Sequence, residues 1–381
     1  MRLICLGIAI LLAATVPAAA LAQQDAAAPE ADQGNKRRPQ DPVAPFPYEV
    51  TKVLIEHSDG HQLAGDLVLP RGLPRPPIAI LLTGSGPQDR DESILGHRPF
   101  LVLADHLARN GIASLRCDDR GVGSSTGTFA GATSLEFATD ALAQFNWLSK
   151  RSDIDVDSIG FIGHSEGGLV GAIAASLDQR VDWLVMMAGP GIDGGEVLTS
   201  QTQRIMERQS HSPKAIESIA GLHRALMDRV REEAPDDEIE ESYLALSLAQ
   251  IEIAVATPEQ KQALRDRLQG LTADQMVDPW LAKFIRTDPA EYLARVRCPM
   301  LALNGTEDLQ VVSELNLPGV KAAVDSGGGS VRIIAYEGLN HMFQESITGT
   351  INEYGFIETT IEDRVLKDIA RWILSVTPDK E

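Results

Sequence analysis

Short apolar runs alternate along the chain with longer segments in which apolar residues recur at helical spacing. The alternation starts with the run at residues 77–82 and resumes after one long interruption in the second half of the chain. Continuous apolar runs of this length are typical of strands that are buried on both faces of a sheet. The pattern therefore predicts an α/β fold with a mostly parallel central sheet that is flanked by helices.

The elements that this pattern predicts begin with a hairpin, in which strand-like runs at 50–56 and 62–69 flank a turn signal at 57–61. Further strands are predicted at 77–82, 112–116, 183–187, 299–303 and 331–335, and in the apolar run that begins at Ser158. Helices are predicted at 99–110, 134–150, 166–177, 313–325 and 358–375. Because helices separate the later strands, short right-handed parallel connections are expected.

The long interruption covers about residues 190–297. It has no convincing strand pattern, but amphipathic helical patterns occur at 215–232, 237–254, 258–268 and 278–286. An insertion of roughly 100 residues is too long for an ordinary loop. We interpret it as a helical cap over the active edge of the sheet, and its acidic run at 232–241 as a solvated helix start.

The first 22 residues are expected to be a signal peptide that is not part of the fold. Arg2 gives a positive start, residues 3–16 are almost wholly apolar, and Ala20 and Ala22 suit a signal-peptidase site. Cleavage is expected before Gln23, and the protein would then be periplasmic or secreted. A permanent membrane span fits less well, because the apolar run is shorter than the roughly 20 residues that a spanning helix needs.

Residues 23–47 are rich in alanine, proline, glutamine and charged residues and have no apolar period. This composition favours a flexible linker. The folded domain is therefore expected at 48–377, with the helical insertion inside it.

The charge of the chain narrows the range of partners. A formal charge of −20 over 381 residues argues against nucleic acid, since phosphate binding needs a basic patch and the short basic run at 36–38 lies in the expected linker. Two cysteines remain after the signal peptide, Cys117 and Cys298, and both are predicted on central strands that are not neighbours. No disulfide between them is expected.

One short motif predicts a nucleophile. Gly163-His164-Ser165-Glu166-Gly167 fits the G-x-S-x-G pattern, in which a sharp strand-to-helix turn lifts the serine hydroxyl above the sheet. Side chains at the two glycine positions would collide in such a turn, so the glycines have a physical role. Ser165 is therefore the candidate nucleophile, and the neighbouring His164 is expected to be a packed, structural histidine.

A serine nucleophile needs a base and a group that orients the base. In sheets of this type with such a serine turn, the three groups follow one another along the chain as serine, acid and histidine. Here Asp308 follows the predicted strand at 299–303, and His341 follows the predicted strand at 331–335. The carboxyl ends of parallel strands share one edge of a sheet, so the three side chains are expected to meet there. Glu307, adjacent to Asp308, is the alternative acid.

The glycine-rich loop after residue 82 is the candidate oxyanion loop. The backbone N–H groups of Ser85 and Glu166 are the expected donors, with Gly84 and Gly86 as alternatives to Ser85. The loop has neither the phosphate-binding G-x-x-x-x-G-K-[ST] pattern nor the dinucleotide G-x-G-x-x-G pattern. No metal or organic cofactor is expected.

Five stretches together resemble a known superfamily. They are residues 84–91, 119–125, 163–168, 305–311 and 339–344. In these the chain resembles α/β-hydrolases, and among them exported bacterial esterases related to the serine aminopeptidase and dienelactone-hydrolase-like groups. The resemblance implies structural roles for Asp119 and Arg120. Thr83 departs from the pattern, because relatives often have histidine there.

The resemblance and the candidate residues favour a serine hydrolase that cleaves carboxylic esters of short or medium acyl chains through an acyl-enzyme. A small-molecule ester is the expected partner. Two alternatives remain: a serine peptidase or amidase that uses the same three residues, and a catalytically inactive binding protein on the same fold.

Overall fold

The structure of the protein is a computed structural model that describes residues 37–377. The expected signal peptide, its cleavage site before Gln23 and residues 23–36 of the expected linker lie outside the described residues, so export stays a prediction. Within the described part of the chain, no helix combines the length and the hydropathy needed to cross a bilayer.

Eight strands form a single sheet. They are β1 (Tyr48–Glu56), β2 (Gln62–Pro70), β3 (Ile78–Leu82), β4 (Ala113–Cys117), β5 (Ile159–His164), β6 (Trp183–Met187), β7 (Met300–Gly305) and β8 (Val331–Tyr336). Their order across the sheet is β1-β2-β4-β3-β5-β6-β7-β8. The β1–β2 and β2–β4 pairs are antiparallel and all other pairs are parallel. The predicted fold class is confirmed, and β5, which precedes Ser165, lies inside the parallel part of the sheet.

Thirteen helices are formed by the described residues. In chain order they are α1 (Pro99–Arg109), α2 (Ser134–Leu148), α3 (Glu166–Leu177), α4 (Gly194–Arg208), α5 (Pro213–Arg231), α6 (Asp236–Ile253), α7 (Pro258–Leu268), α8 (Ala273–Met276), α9 (Pro279–Arg286), α10 (Pro289–Leu293), α11 (Ser313–Ser326), α12 (Ile351–Tyr354) and α13 (Asp363–Val376).

Both faces of the sheet are covered by helices, as the continuous apolar strands predict. On β5, the neighbouring side chains of Phe161 and Ile162 point to opposite faces. Ile162 belongs to a buried apolar cluster with residues of α1 and α13, whereas the ring of Phe161 packs against Phe145 of α2, with centroids 6.3 Å apart. Because both faces of β5 are buried in this way, the carboxyl end of the strand is held rigidly.

Helix α13 begins at Asp363 and not at 358, where the periodicity predicts its start. The residues before it are held in another conformation by Gln40. The side-chain oxygen of Gln40 accepts hydrogen bonds from the N–H groups of Thr360 and Ile361, at 2.7 and 3.1 Å. Sequence periodicity contains no information about this distant partner.

Residues 193–287 form a compact unit of their own, made of helices α4 to α9. Apolar residues from these helices build a separate buried cluster that includes Met206, Leu226 and Ile285. Helix α4 was not predicted. Its buried face consists largely of small and polar residues, such as Thr199 and Ser200, which give no apolar period.

The boundary of this unit differs from the expected insertion at about 190–297. Residues 288–297 belong with the sheet unit. Leu293 and Val296 in this stretch are fully buried, and Gly327 approaches Ala294 so closely that a Cβ at Gly327 would overlap the Ala294 carbonyl. Whether residues 193–287 act as a cap stays a prediction.

Residues 37–47 differ from the flexible linker expected at 23–47, because polar contacts anchor them to the sheet unit. The guanidinium of Arg38 donates to four main-chain carbonyl oxygens, those of Leu95, Gly96, Gly355 and Ile357. Asp41 is 6% exposed and accepts a hydrogen bond from Arg98 at 2.8 Å. A low apolar content led to the linker prediction, but here hydrogen bonds and not apolar burial order the chain.

We expect Arg38→Met to lower the free energy of unfolding by about 1–3 kcal/mol, since it leaves several main-chain acceptors without their charged donor. The shift in the thermal midpoint measures this. Arg37→Met is the matched control, because among residues 37–377 Arg37 donates only to Asp41 and Pro42, which lie within its own segment. Equal midpoints for the two variants would contradict the anchoring role of Arg38.

Candidate active site

Ser165 lies on a strained turn between β5 and α3. Its φ is 53° and its ψ is −122°, a conformation that side-chain-bearing residues rarely adopt. A Cβ at Gly163 would overlap the carbonyl of Gly167, and a Cβ at Gly167 would overlap the carbonyl of Leu82. The two glycines therefore permit the close approach of backbone segments that the turn requires, and they leave the serine partly exposed at the end of β5.

His341 and Asp308, which come from the loops after β8 and β7, are hydrogen-bonded to each other. The distance from His341 Nδ1 to Asp308 Oδ2 is 2.8 Å, and the two residues are 4% and 3% exposed. Asp308 Oδ1 accepts hydrogen bonds from the N–H groups of Gln310 and Val311, so both carboxylate oxygens are held. A carboxylate on Nδ1 fixes the proton there and leaves Nε2 of a neutral ring as the basic atom.

The acid that the structure pairs with His341 is Asp308. The alternative acid, Glu307, contributes a main-chain contact, in which its N–H donates to the carbonyl of Leu339. This contact ties the loop after β7 to the loop after β8, and a Cβ at Gly305 would overlap the same Leu339 carbonyl. The close packing of the two loops explains why an acid in one can orient a histidine in the other.

The glycine loop after β3 passes directly beside Ser165. A Cβ at Gly84 would lie 3.3 Å from the Cβ of Ser165. The N–H of Gly84 donates to Glu92 Oε1 at 2.7 Å, so it is occupied. Ser85 is exposed, and among residues 37–377 no acceptor takes up its N–H. Of these two positions, Ser85 is therefore the one with a donor available to an incoming ligand.

Asp119 anchors the same loop. Its carboxylate accepts hydrogen bonds from the Thr83 hydroxyl at 2.8 Å and from the Gln88 N–H at 2.9 Å. Burial raises the pKa of Asp119 to about 7. The next residue, Arg120, forms a two-point ion pair with Asp140 on α2, with distances of 2.7 and 2.8 Å. These contacts are of the structural kind that the resemblance implies for Asp119 and Arg120.

Glu92 and His164 form a second buried acid–histidine pair that sequence reasoning missed. Glu92 Oε1 lies 2.9 Å from His164 Nδ1, and His164 Nε2 lies 3.0 Å from the main-chain oxygen of His341. Both partners of the His164 ring are acceptors, so both ring nitrogens donate and the ring is an imidazolium. Burial acts to lower the pKa of His164, but the charge of Glu92 outweighs it and the pKa is raised.

This pair connects three loops that carry candidate residues. Glu92 holds the oxyanion loop through Gly84, while His164 immediately precedes Ser165 and binds the main chain of His341. The rings of His164 and His341 lie 4.7 Å apart between centroids. His164 is buried, as expected, but its contacts show that it positions its neighbours as well as filling space. Glu92 lies in a polar loop with no periodic signal, which is why the sequence did not single it out.

Comparison with known proteins places the chain in a family. Residues 59–317, more than half of the chain, match the sequence profile described as X-Pro dipeptidyl-peptidase (S15 family). The chain belongs to the S15 family. Esterase EstD of Thermotoga maritima is 27% identical over 335 residues, which cover 88% of this chain and 69% of that protein. An uncharacterized 31.7 kDa Escherichia coli protein is 23% identical over 260 residues, 67% of this chain and 80% of that protein.

The solved structure of DcsB shows the same fold. DcsB in complex with its substrate analogue matches with a TM-score of 0.51 at 17% identity, covering 86% of this chain and all of that one. Est1E from Butyrivibrio proteoclasticus matches with a TM-score of 0.48 at 16% identity, covering 85% and 98% of the two chains. The fold and the S15 membership identify this protein as a serine hydrolase of the α/β-hydrolase superfamily.

We expect the raised pKa of Asp119 to make stability depend on pH. A carboxyl whose pKa is higher in the folded than in the unfolded chain weakens the fold as pH rises between the two values, here from about 4 to about 7. Asp119→Asn cannot ionise, so from pH 5 to pH 8 its free energy of unfolding should rise by about 2–3 kcal/mol relative to wild type. Urea unfolding at each pH measures the difference.

Asp118→Asn is the matched control for this prediction. Burial acts to raise the pKa of Asp118, but hydrogen bonds and charge from Arg90 lower it overall. The stabilisation from the ionised Asp118 carboxylate is complete at pH values above its pKa in the unfolded chain. The free energy of unfolding of the control should therefore differ from that of wild type by a constant amount between pH 5 and pH 8. A constant difference for Asp119→Asn as well would show that Asp119 is not the titrating group.

Proposed function

We propose that the protein is a carboxylesterase that cleaves small esters of short or medium acyl chains. The observation that carries this proposal is the 2.8 Å hydrogen bond between His341 and Asp308, at the end of the sheet where Ser165 lies on its strained turn. The pair provides an oriented base, and the turn provides an accessible hydroxyl.

In the proposed reaction, the Ser165 hydroxyl attacks the ester carbonyl and gives its proton to His341 Nε2. Asp308 keeps the imidazole oriented and stabilises its charged form. The protonated His341 then gives the proton to the departing alcohol as the C–O bond breaks, which leaves an acyl group on Ser165. A water molecule, deprotonated by His341, then attacks the acyl carbon, and His341 returns the proton to the Ser165 oxygen as the acyl C–O bond breaks, which releases the acid. The N–H groups of Ser85 and Glu166 are the proposed donors to the oxyanion.

The ester specificity rests on a relative and not on the geometry alone. The relative named Esterase EstD aligns over 88% of this chain, which favours an ester as the substrate. A small-molecule ester also fits the strongly acidic composition of the chain, which argues against nucleic acid. We further propose, from the pattern of residues 1–22 alone, that the enzyme is exported to the periplasm or beyond.

Peptidase or amidase activity is the second candidate, and a specific observation favours it. The S15 family to which the chain belongs is described as X-Pro dipeptidyl-peptidase. The same three residues could cleave an amide, because the two reactions differ in the leaving group and not in the attack. The inactive binding protein is the weakest of the three candidates, since the acid–histidine pair is formed and buried.

We expect Ser165→Ala to reduce kcat on p-nitrophenyl butyrate by about 10⁴–10⁶-fold and to abolish labelling by a fluorophosphonate probe. Ser85→Ala is the matched control, because the proposed role of Ser85 uses its main-chain N–H and an alanine retains that group. Labelling of folded Ser165→Ala protein would refute the assignment of the nucleophile. On wild type, a tenfold higher kcat/KM for Gly-Pro p-nitroanilide than for the ester would favour the peptidase.

We expect Glu92→Gln to lower kcat by roughly 10–100-fold while KM changes little. The amide can still accept from Gly84, but it has no charge to stabilise the His164 imidazolium. His164 then loses one of its two ring protons, and one ring nitrogen can no longer donate. This weakens the contact between His164 and the main chain of His341. Steady-state kinetics on p-nitrophenyl butyrate separate kcat from KM. Glu345→Gln is the control on an exposed acid close to His341. A change in KM alone would contradict a positioning role.

A further inference from the structure

The turn between β1 and β2 brings two histidines and an aspartate together. Its sequence is His57-Ser58-Asp59-Gly60-His61. The rings of His57 and His61 stack with centroids 4.4 Å apart. Their Nδ1 atoms lie 2.7 and 2.5 Å from the same atom, Asp59 Oδ1. The sequence pattern alone predicted only a hairpin turn here, and none of these residues takes part in the proposed ester cleavage.

The other ring nitrogen of each histidine contacts helix α2, and the contact of His61 fixes the position of one proton. His61 Nε2 lies 2.8 Å from Asp140 Oδ1, in a carboxylate that also receives the two-point ion pair from Arg120. A carboxylate accepts, so His61 Nε2 carries a proton.

The contacts of His57 are compatible with a proton at the same ring position. Its Nε2 lies 3.2 Å from the hydroxyl oxygen of Thr139. The Thr139 hydroxyl donates its own proton to the carbonyl of Glu136, at 2.7 Å. In that arrangement the Thr139 oxygen accepts from His57 Nε2.

The consequence is an unbalanced contact at Asp59. With the protons on Nε2, each neutral ring presents a lone pair at Nδ1, close to a carboxylate oxygen that has only lone pairs of its own. The Asp59 N–H donates to His57 Nδ1 at 3.3 Å, whereas none of residues 37–377 donates to His61 Nδ1. Protons at Nδ1 satisfy the same contacts, with His61 as an imidazolium between Asp59 and Asp140 and His57 as a neutral ring that accepts from the Thr139 hydroxyl. A single divalent cation bound by all three atoms satisfies these contacts as well, with the metal in place of the Nδ1 protons.

The cluster has the features of a transition-metal site. The three candidate ligand atoms all lie within 4.8 Å of one another. Imidazole nitrogen with carboxylate oxygen suits zinc and other late first-row metals. Histidine ligands in metal sites usually donate their second N–H to a carboxylate or another acceptor, as His61 does to Asp140 and His57 to Thr139. The side chain of Asp59 is 54% exposed, so a metal could enter from solvent.

We propose that the β1–β2 turn binds one zinc ion, or a similar divalent transition metal, through His57 Nδ1, His61 Nδ1 and a carboxylate oxygen of Asp59. Three protein ligands leave a fourth position for water or an external ligand. The metal would fasten the edge hairpin to α2, because both histidines are already tied to that helix.

Zinc titration of the tag-free, chelator-treated chain tests the proposal. Calorimetry should show one ion bound per chain, and zinc at a saturating concentration should raise the thermal midpoint by about 5 °C. His57→Gln and His61→Gln should each weaken binding at least 100-fold, and Asp59→Asn about tenfold or more, while His211→Gln, in the helical unit, should bind like wild type.

A second pair of measurements separates this site from the catalytic histidine and does not depend on the turn variants folding. His341→Gln should retain one zinc ion. Cobalt-loaded wild-type protein should show visible d–d absorption, which should disappear when zinc replaces the cobalt. Absence of zinc binding at 100-fold molar excess, loss of the ion in His341→Gln, or unchanged affinity in His57→Gln and His61→Gln would overturn the proposal.

Discussion

The candidate active site depends on two glycines, because no side chain can be accommodated at their positions. Gly163 approaches the Gly167 carbonyl, and Gly167 approaches the Leu82 carbonyl, at distances that leave no room for a Cβ. This packing forces Ser165 into a backbone conformation that costs of the order of 1–3 kcal/mol. The surrounding sheet is buried on both faces and holds the turn in that conformation. The strain therefore persists, and the Ser165 hydroxyl lies at one fixed position.

A buried charge pair then fixes what surrounds the serine. Removing Glu92 and His164 from water carries a desolvation cost that their attraction alone does not necessarily repay. The pair is also satisfied by main-chain groups from two other loops, through Gly84 and His341. Its value is therefore geometric as much as energetic, since one ion pair sets the mutual positions of three loops that are far apart in the sequence.

The sequence predicted those features that follow a local rule. Apolar runs identified all eight strands, and the chain order of a glycine-flanked serine, an acid and a histidine selected Ser165, Asp308 and His341. The Asp308–His341 contact agrees with that selection, while the catalytic roles remain a proposal. The sequence did not predict three features that depend on contacts rather than on a local pattern. Glu92 acts through contacts with distant loops, and α4 buries small polar side chains. Residues 37–47 are ordered by hydrogen bonds rather than by an apolar face.

The anchoring of the amino-terminal segment has a consequence for how the chain assembles. Arg38 and Gln40 bind residues 355–361, more than 300 positions later in the sequence. Closing contacts over so long a separation carries a large loop entropy, and ribosomal synthesis provides these partners more than 300 residues after the segment. The segment must therefore wait, without these partners, until residues 355–361 have been made. Its docking is a late step in folding that joins the two ends of the domain.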